Sequence, residues 1–323
     1  MNAIGGYFEL EKGRGGNYPH AAGLKVGSGR QGLELILRTL PENAELIIPD
    51  YTCEVILEPI ERLNILYHRY EVNDNLELSE EPALKENQYF IYTNYFGIKD
   101  AYALKLEKKY RSHLILDNAQ AFFMARPRYA QAFYSPRKFV GVPDGGIAFP
   151  NEFERAGLIL KDSPKDISWN SCSALLKRID LDAQAGYSDY KKNEEKLVDK
   201  ALKQMSNLTS AMLESIDWED IKETRRENFK FLHEALGEKN LLRIEEIDTY
   251  ACPMVYPFRT KDKGLREALI KEKIFVATYW PNSKYKMKAS SERLRDELLP
   301  LPIDQRYNPN DLQRIINIIN NRK

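Results

Sequence analysis

The sequence predicts an α/β protein, with a large domain on a mostly parallel sheet and a smaller C-terminal α/β domain behind it. Three observations carry the prediction. Short apolar runs alternate with helix-patterned stretches through the first half of the chain, the order of a parallel sheet with crossover helices. Polar or acidic residues, Asp50, Asn94 and Asp117, stand at or just after the ends of three of these runs. Ligands of such sheets gather at those ends. Near Gly186 the texture changes to long, highly charged segments, then returns to a mixed strand and helix pattern.

The elements follow in order. Nine of the 17 glycines lie in the first 32 residues, which favours turns and close backbone approach. Leu33, Ile36, Leu37 and Leu40 form one apolar helical stripe, and Pro41 stops it. Glu45–Pro49, Tyr89–Thr93 and His113–Asp117 read as buried strands. Glu54–Leu63 and Ala101–Arg111 read as the helices between them. Ala130–Tyr134 and Gly146–Phe149 read as two further strands. From Tyr187 to Asn240 a stripe of Leu197, Ala201, Met205, Leu208 and Met212 predicts long solvated helices. Beyond it, Pro253–Tyr256 and Ile274–Ala277 read as strands, and Leu312, Ile315, Ile316 and Ile319 as a closing helix. The expected division is 1–186 for the large domain, 187–240 for connecting helices and 241–323 for the small domain.

Composition limits the function classes. The 323 residues carry 48 Lys+Arg against 48 Asp+Glu. Such neutrality offers no broad field for nucleic acid or for an anionic membrane, though a local phosphate site stays open. No run approaches the roughly 18 apolar residues of a membrane helix, and the N-terminus lacks the apolar core of a signal peptide. A cytoplasmic location is therefore expected. Cys53, Cys172 and Cys252 form no CxxC pair, and the four histidines show no ligand spacing. Neither a disulfide framework nor a metal site is expected.

Gly27-Ser-Gly-Arg-Gln-Gly32 matches GxGxxG, with a helix and then a strand ending at Asp50 behind it. A dinucleotide site needs that order. Only Gly23–Val26 is available as the preceding strand, with a lysine and a glycine in it. Glycines leading into a helix bind anions through free N–H groups whatever the cofactor. The stretch therefore predicts a phosphate site more firmly than a nicotinamide one.

Two later segments sharpen the reading. In Leu114-Ile-Leu-Asp117-Asn-Ala-Gln120 an apolar strand delivers a carboxylate at its end. In Ser135-Pro-Arg-Lys138-Phe-Val-Gly-Val-Pro-Asp144-Gly-Gly146 a lysine sits in a loop between two strands. An acid at a strand end, a lysine on the next crossover and a glycine-rich anion turn make a more specific set than any one alone.

These segments resemble the DegT/StrS-type sugar aminotransferases, fold-type-I enzymes that use pyridoxal 5'-phosphate (PLP). Asp117-Asn-Ala-Gln-Ala121 is similar to that family's acid followed by AQA. Lys138 with Pro143-Asp-Gly-Gly146 is similar to its lysine loop and GDGG turn. Ser28-Gly29-Arg30-Gln31-Gly32 resembles its SGT-A phosphate loop, Pro49-Asp-Tyr-Thr-Cys53 its P-x-x-T-F stretch, and Thr93-Asn-Tyr-Phe-Gly97 its H-x-x-G stretch. The likeness runs from about Gly27 to Gly146 and returns weakly at Tyr279-Trp-Pro281 and Leu299–Pro302.

The resemblance implies roles. Lys138 would form the Schiff base with PLP and then serve as general base and acid, its amine depressed by burial beside a cation. Asp117 would pair with the pyridine N–H. Gln120 would hydrogen-bond the phenolic oxygen. Gly29, Arg30 and Gln31 would hold the phosphate, with Ser135 as a further ligand. Asn94 would line the site at its strand end. The family's ring-stacking aromatic aligns with Cys53, which leaves Tyr51 or another aromatic for that task. The family's NYR segment, which reaches the partner subunit, has no clean counterpart; Asn170 or Lys177-Arg178 stands nearest. The resemblance also implies a homodimer and a transfer from glutamate to a nucleotide-linked keto-sugar, in cell-surface polysaccharide or related biosynthesis. Alternatives on the same scaffold are another PLP-dependent sugar modification and a non-catalytic homologue. The glycines from Gly5 to Gly16 receive no role.

Overall fold

The computed structural model describes residues 10, 17–198, 200–244, 252–281 and 285–322. Gly5, Gly6, Gly13, Gly15 and Gly16 lie outside them. The first half of the chain alternates strand and helix: β1 (Leu24–Val26), α1 (Gly29–Leu37), β2 (Glu45–Pro49), α2 (Leu57–Arg62), β3 (Leu66–Tyr70), β4 (Gln88–Thr93), α3 (Asp100–Tyr110), β5 (Leu114–Asn118), β6 (Gln131–Tyr134), β7 (Gly146–Phe149) and α4 (Phe153–Lys161). These strands form one seven-stranded sheet in the order β1-β7-β6-β5-β4-β2-β3. β7 runs antiparallel to both of its neighbours, and the remaining strands share one direction. The sheet is the mostly parallel one that the alternation predicts.

The central strands are apolar because both faces are covered. Every residue of β5, β6 and β7 is buried. The stripe of α1 packs where the sequence places it, with Leu33, Ile36 and Leu37 buried beside Ile91, Ile115 and Phe133 from the sheet. Each such side chain contributes about 1.5–3 kcal/mol by leaving water. α1 ends at Leu37, before Pro41.

Behind the sheet come α5 (Ser173–Asp180), α6 (Tyr187–Glu195), α7 (Asn207–Glu214) and α8 (Trp218–Leu236). The continuous helical stripe expected from Leu197 to Met212 does not form. Residues 200–206 run as extended chain along the free edge of β1. Met205 N–H donates to the Lys25 carbonyl at 3.1 Å and Gly27 N–H to the Lys203 carbonyl at 3.0 Å. An edge strand's unpaired backbone groups outcompeted a weak helical pattern there. Leu208 and Met212 do lie on α7, and α8 is the one long helix in this stretch.

The rest is β8 (Tyr256–Arg259), α9 (Leu265–Lys271), α10 (Ala289–Glu297), β9 (Leu298–Leu301) and α11 (Pro309–Asn320). β8 and β9 pair antiparallel, with α8, α9 and α11 around their apolar residues. The closing stripe of Leu312, Ile315, Ile316 and Ile319 is buried as expected. Asn308 and Asp311 form a capping box at its start. Two strand readings shift. The strand expected over Pro253–Tyr256 begins only at Tyr256. Ile274–Ala277 is not a strand: the Arg266 guanidinium takes the Val276 and Ala277 carbonyls instead.

Candidate active site

The functional side chains meet at the carboxyl ends of β4, β5 and β6. Asp117 is the last residue but one of β5, one of the central strands, opposite Thr93 on β4 and Phe133 on β6. Its carboxylate is buried and accepts the Ala119 N–H at 3.0 Å. Burial raises its pKa to about 6, against the opposing pull of that N–H, the Lys138 charge and the Thr93 hydroxyl. The Thr93 hydroxyl is near enough to act on the carboxylate without closing a hydrogen bond.

Lys138 ends a short 3-10 turn, Pro136–Lys138, that leaves β6 through Ser135. Its charge is felt at both Asp117 and Cys53, so the amine lies within electrostatic reach of the acid and the thiol. Burial was expected of this lysine; in the single chain it is exposed. The loop it sits on ends in a tight anchor. Asp144 is buried and accepts the Ser206 N–H at 2.8 Å and the Ser206 hydroxyl at 2.7 Å, together with the Thr209 hydroxyl. Ser206 is also the N-cap of α7, so the lysine loop is fastened to the start of that helix.

The glycine turn closes the other side. Gly145 N–H donates to the Gly27 carbonyl at 2.7 Å. A β-carbon on Gly146 would fall 2.3 Å from the Ser28 oxygen, and one on Gly29 would fall 3.3 Å from the Ser135 Cβ. The Ser28 hydroxyl caps α1 by accepting the Gln31 N–H at 3.3 Å. Ser28 bridges to Gly145, which engages the Gly29 N–H, and the Arg30 N–H is left without an acceptor among the described residues. That N–H and the Ser135 hydroxyl, also without a partner among the described residues, are donors of the kind that bind an anion at a helix start.

Several expected residues are engaged elsewhere. The Arg30 guanidinium binds Glu58 at 2.5 and 2.7 Å and the Leu197 carbonyl at 2.7 Å, so its backbone rather than its charge faces the turn. The Gln31 N–H is taken by Ser28, and its amide donates to the Ala201 carbonyl at 2.6 Å. Asn94 is spent on the start of α3: it donates to Asp100 at 2.6 Å and accepts the Lys99 N–H at 3.3 Å. Gln120 accepts the Phe96 N–H at 3.0 Å, while its NH2 group has no partner among the described residues. Phe96 has φ 58° and Gly97 φ 68°, so Gln120 steadies a left-handed turn.

Tyr51 and Cys53 part company. Tyr51 is fully buried, stacked on Tyr95 with ring centres 5.7 Å apart and edge-on to Trp280 at 4.5 Å. Burial lifts its phenol far above the ordinary range. Cys53 is half-buried, its thiol pushed up by burial and pulled back by the Val55 N–H and the Lys138 charge. The position aligned with a stacking aromatic therefore holds a thiol beside Lys138, and Tyr51 belongs to the aromatic cluster behind it. Thr52, between them, keeps a buried hydroxyl without a partner. Sequence reading passed over Thr52 and Thr93; a hydroxyl beside each strand-end polar residue was the available signal. Asn170 and Lys177-Arg178 are exposed, and Lys177 pairs with Asp189 at 2.8 Å.

The rival dinucleotide reading loses its geometry. In that fold the strand before the glycines lies beside the strand carrying the acid. Here four strands separate β1 from β2. The Asp50 carboxylate is consumed by the Val72 and Lys288 N–H groups and the Ser291 hydroxyl.

No family model matches the sequence, and no protein of curated function matches it. Solved structures do. A DegT DnrJ EryC1 StrS aminotransferase from Brucella abortus is 16% identical with a TM-score of 0.62, over 92% of this chain and 84% of that one. The sugar aminotransferase CalS13 from Micromonospora echinospora is 15% identical with a TM-score of 0.61, over 92% and 86%. DesV from S. venezuelae, solved in complex with a ketimine intermediate, is 16% identical with a TM-score of 0.62, over 92% and 83%. The resemblance first seen in the motifs from Gly27 to Gly146 thus extends along nearly the whole chain as a resemblance of structure, and this chain has the fold of the DegT/StrS-type aminotransferases.

Proposed function

We propose that this protein is a PLP-dependent aminotransferase that passes an amino group from glutamate to a keto-sugar, most simply one carried on a nucleotide for polysaccharide biosynthesis. One observation carries the reading: Lys138 and Asp117 lie within reach of each other's charge, near a glycine turn that presents the Arg30 N–H and the Ser135 hydroxyl. The DesV structure supports it, as a protein of like fold solved with a ketimine intermediate.

The residues fit the cofactor. A pyridine nitrogen would find a buried carboxylate in Asp117, an aldehyde an amine in Lys138, and a phosphate the Arg30 N–H and the Ser135 hydroxyl. When bound, PLP supplies an electron sink for the carbon that loses its proton. Asp117 would hold a proton on the ring nitrogen. Lys138 would hold the cofactor through Nζ and would serve as the base and acid that moves the proton. The NH2 group of Gln120 would be the donor for the phenolic oxygen. Cys53 stands at the position where the resemblance expects an aromatic.

A second copy of the chain completes this site in the proposed homodimer. Lys138 is exposed in the single chain. The nearby segment carries exposed Ile167, Trp169, Leu176, Ile179 and Leu181, more apolar surface than scattered exposure accounts for.

Absorption spectroscopy tests the proposal. The purified protein mixed with PLP gains a visible band that Lys138→Ala abolishes, and glutamate bleaches it. No band at saturating PLP refutes the proposal. A band that no amino donor bleaches moves the protein to a different PLP-dependent reaction.

A further inference from the structure

Arg225 stands near the middle of α8, almost fully buried, with no carboxylate hydrogen-bonded to its guanidinium. Its Nε donates to Gln305 Oε1 at 3.1 Å, one terminal nitrogen to the Met254 carbonyl at 2.8 Å, and the other to the Phe139 carbonyl at 3.1 Å. The Gln305 amide donates to that same Phe139 carbonyl at 3.0 Å. The guanidinium lies over the Phe139 ring, 4.8 Å from its centre. A buried cation whose nearest acid, Asp304, acts on it only through space is costly to keep. Here it converges with a second donor on one peptide carbonyl, that of the residue following Lys138.

The two ends of the lysine loop are fastened at Ser135 beside Gly29 and at Asp144 beside Ser206. Its middle is held by α8 and by the segment after β9. We propose that Arg225, acting with Gln305, is a positioning residue for Lys138. It fixes the peptide after the lysine and so aims Nζ towards the Asp117 side of the site. The inference rests on Lys138 being the residue that attaches PLP.

The experiment uses the full-length protein and the variants Arg225→Met, Arg225→Lys and Gln305→Leu. The first measurement is the rate at which the visible band grows on mixing with PLP. Misplacing a reacting group by about 1 Å costs about a hundredfold. The limiting rate in Arg225→Met is expected to fall roughly 10- to 100-fold, while the PLP concentration for half-maximal rate moves less than about threefold. Arg225→Lys restores part of the rate, and Gln305→Leu shows a smaller loss in the same sense. The second measurement needs no cofactor. Amide hydrogen exchange across residues 137–142 is expected to quicken by about tenfold or more in Arg225→Met and Gln305→Leu as the loop loses its tie. Unchanged rate and exchange in the folded variants, with only the melting temperature lowered, overturn the inference. Gln305→Leu decides alone if Arg225→Met does not fold. Absence of the band in the unmodified protein overturns the functional reading and this inference with it. A normal band with unaltered rate and exchange overturns this inference only.

Discussion

A β-carbon on Gly29 would stand 3.3 Å from the β-carbon of Ser135. The turn that opens α1 and the residue that leads into the lysine loop therefore touch, although more than a hundred residues separate them. Gly146 lies closer still, with the Ser28 oxygen and the Gly29 nitrogen at 2.3 and 2.7 Å from where its β-carbon would be. Backbone on both sides leaves no side chain to move aside.

The first prediction follows from that contact. Gly146→Ala forces α1 away from the loop and is expected to cost about 3 kcal/mol, the upper end for overpacking. Gly29→Ala meets a tighter-than-usual contact that Ser135 can partly yield to, and costs about 1 kcal/mol. Urea unfolding gives both values. PLP titration should show affinity lost in both variants, because both displace the turn proposed to hold the phosphate.

Asp117 predicts a conflict between stability and function. Its folded pKa, about 6, is above the ordinary 3.8. Between these values the native state holds a proton that the unfolded chain has released. The group therefore favours folding fully below about pH 4, and that contribution is lost as pH rises through about 6. Above pH 6 the buried charge is a burden of up to about 3 kcal/mol. Asp117→Asn is expected to stabilise the cofactor-free protein at pH 7–8 by up to that amount, with the gain vanishing near pH 4. The same variant should fail to hold PLP productively. Denaturant melts across pH, beside the visible band, check both halves.

His20 acts in the opposite direction. It is half-buried, stacked on Tyr134 with ring centres 3.8 Å apart, and its Nε2 meets the Phe122 carbonyl at 2.5 Å. Burial lowers its pKa from 6.5 to about 4. The unfolded state takes up the proton first, so stability is lost as pH falls from 6.5 towards 4, by up to about 3 kcal/mol. His20→Asn, which suits the left-handed backbone there (φ 65°), should flatten that acid limb in a pH series of thermal melts.

Asp144 ties the lysine loop to α7 through three donors from Ser206 and Thr209. Asp144→Asn keeps the shape but removes the charge and one acceptor. A loss of about 2–3 kcal/mol is expected, with weaker PLP binding because the loop end frees Gly145 and Gly146. Conservative Asp144→Glu should recover neither, since an added methylene at a fully buried side chain displaces its carboxylate from Ser206 and Thr209. Calorimetry with and without PLP measures the difference.

Much of this was legible in the chain. Leu33, Ile36 and Leu37 announce α1, and Leu114-Ile-Leu announces a strand that can only be buried. Local residue order sets periodicity, which is why the elements could be named in advance. Partner choice was not legible. Nothing near Arg30 says that Glu58 will take its guanidinium, and nothing near Asn94 says that Asp100 will. Nor could the helical spacing of Leu197, Ala201 and Met205 announce that the bare edge of β1 would claim that segment.

By itself the sequence determined which residue types stand at strand ends, where the glycines gather, and that the chain would alternate strand and helix. The tertiary structure alone decided that Cys53 rather than Tyr51 lies beside Lys138, that four strands stand between β1 and β2, and that Arg225 reaches the peptide after the lysine. The reason is physical. Periodicity is a property of neighbours along the chain, whereas a buried donor, acceptor or charge must find its partner in space, and that partner is fixed only when the whole sheet and its covering helices close together.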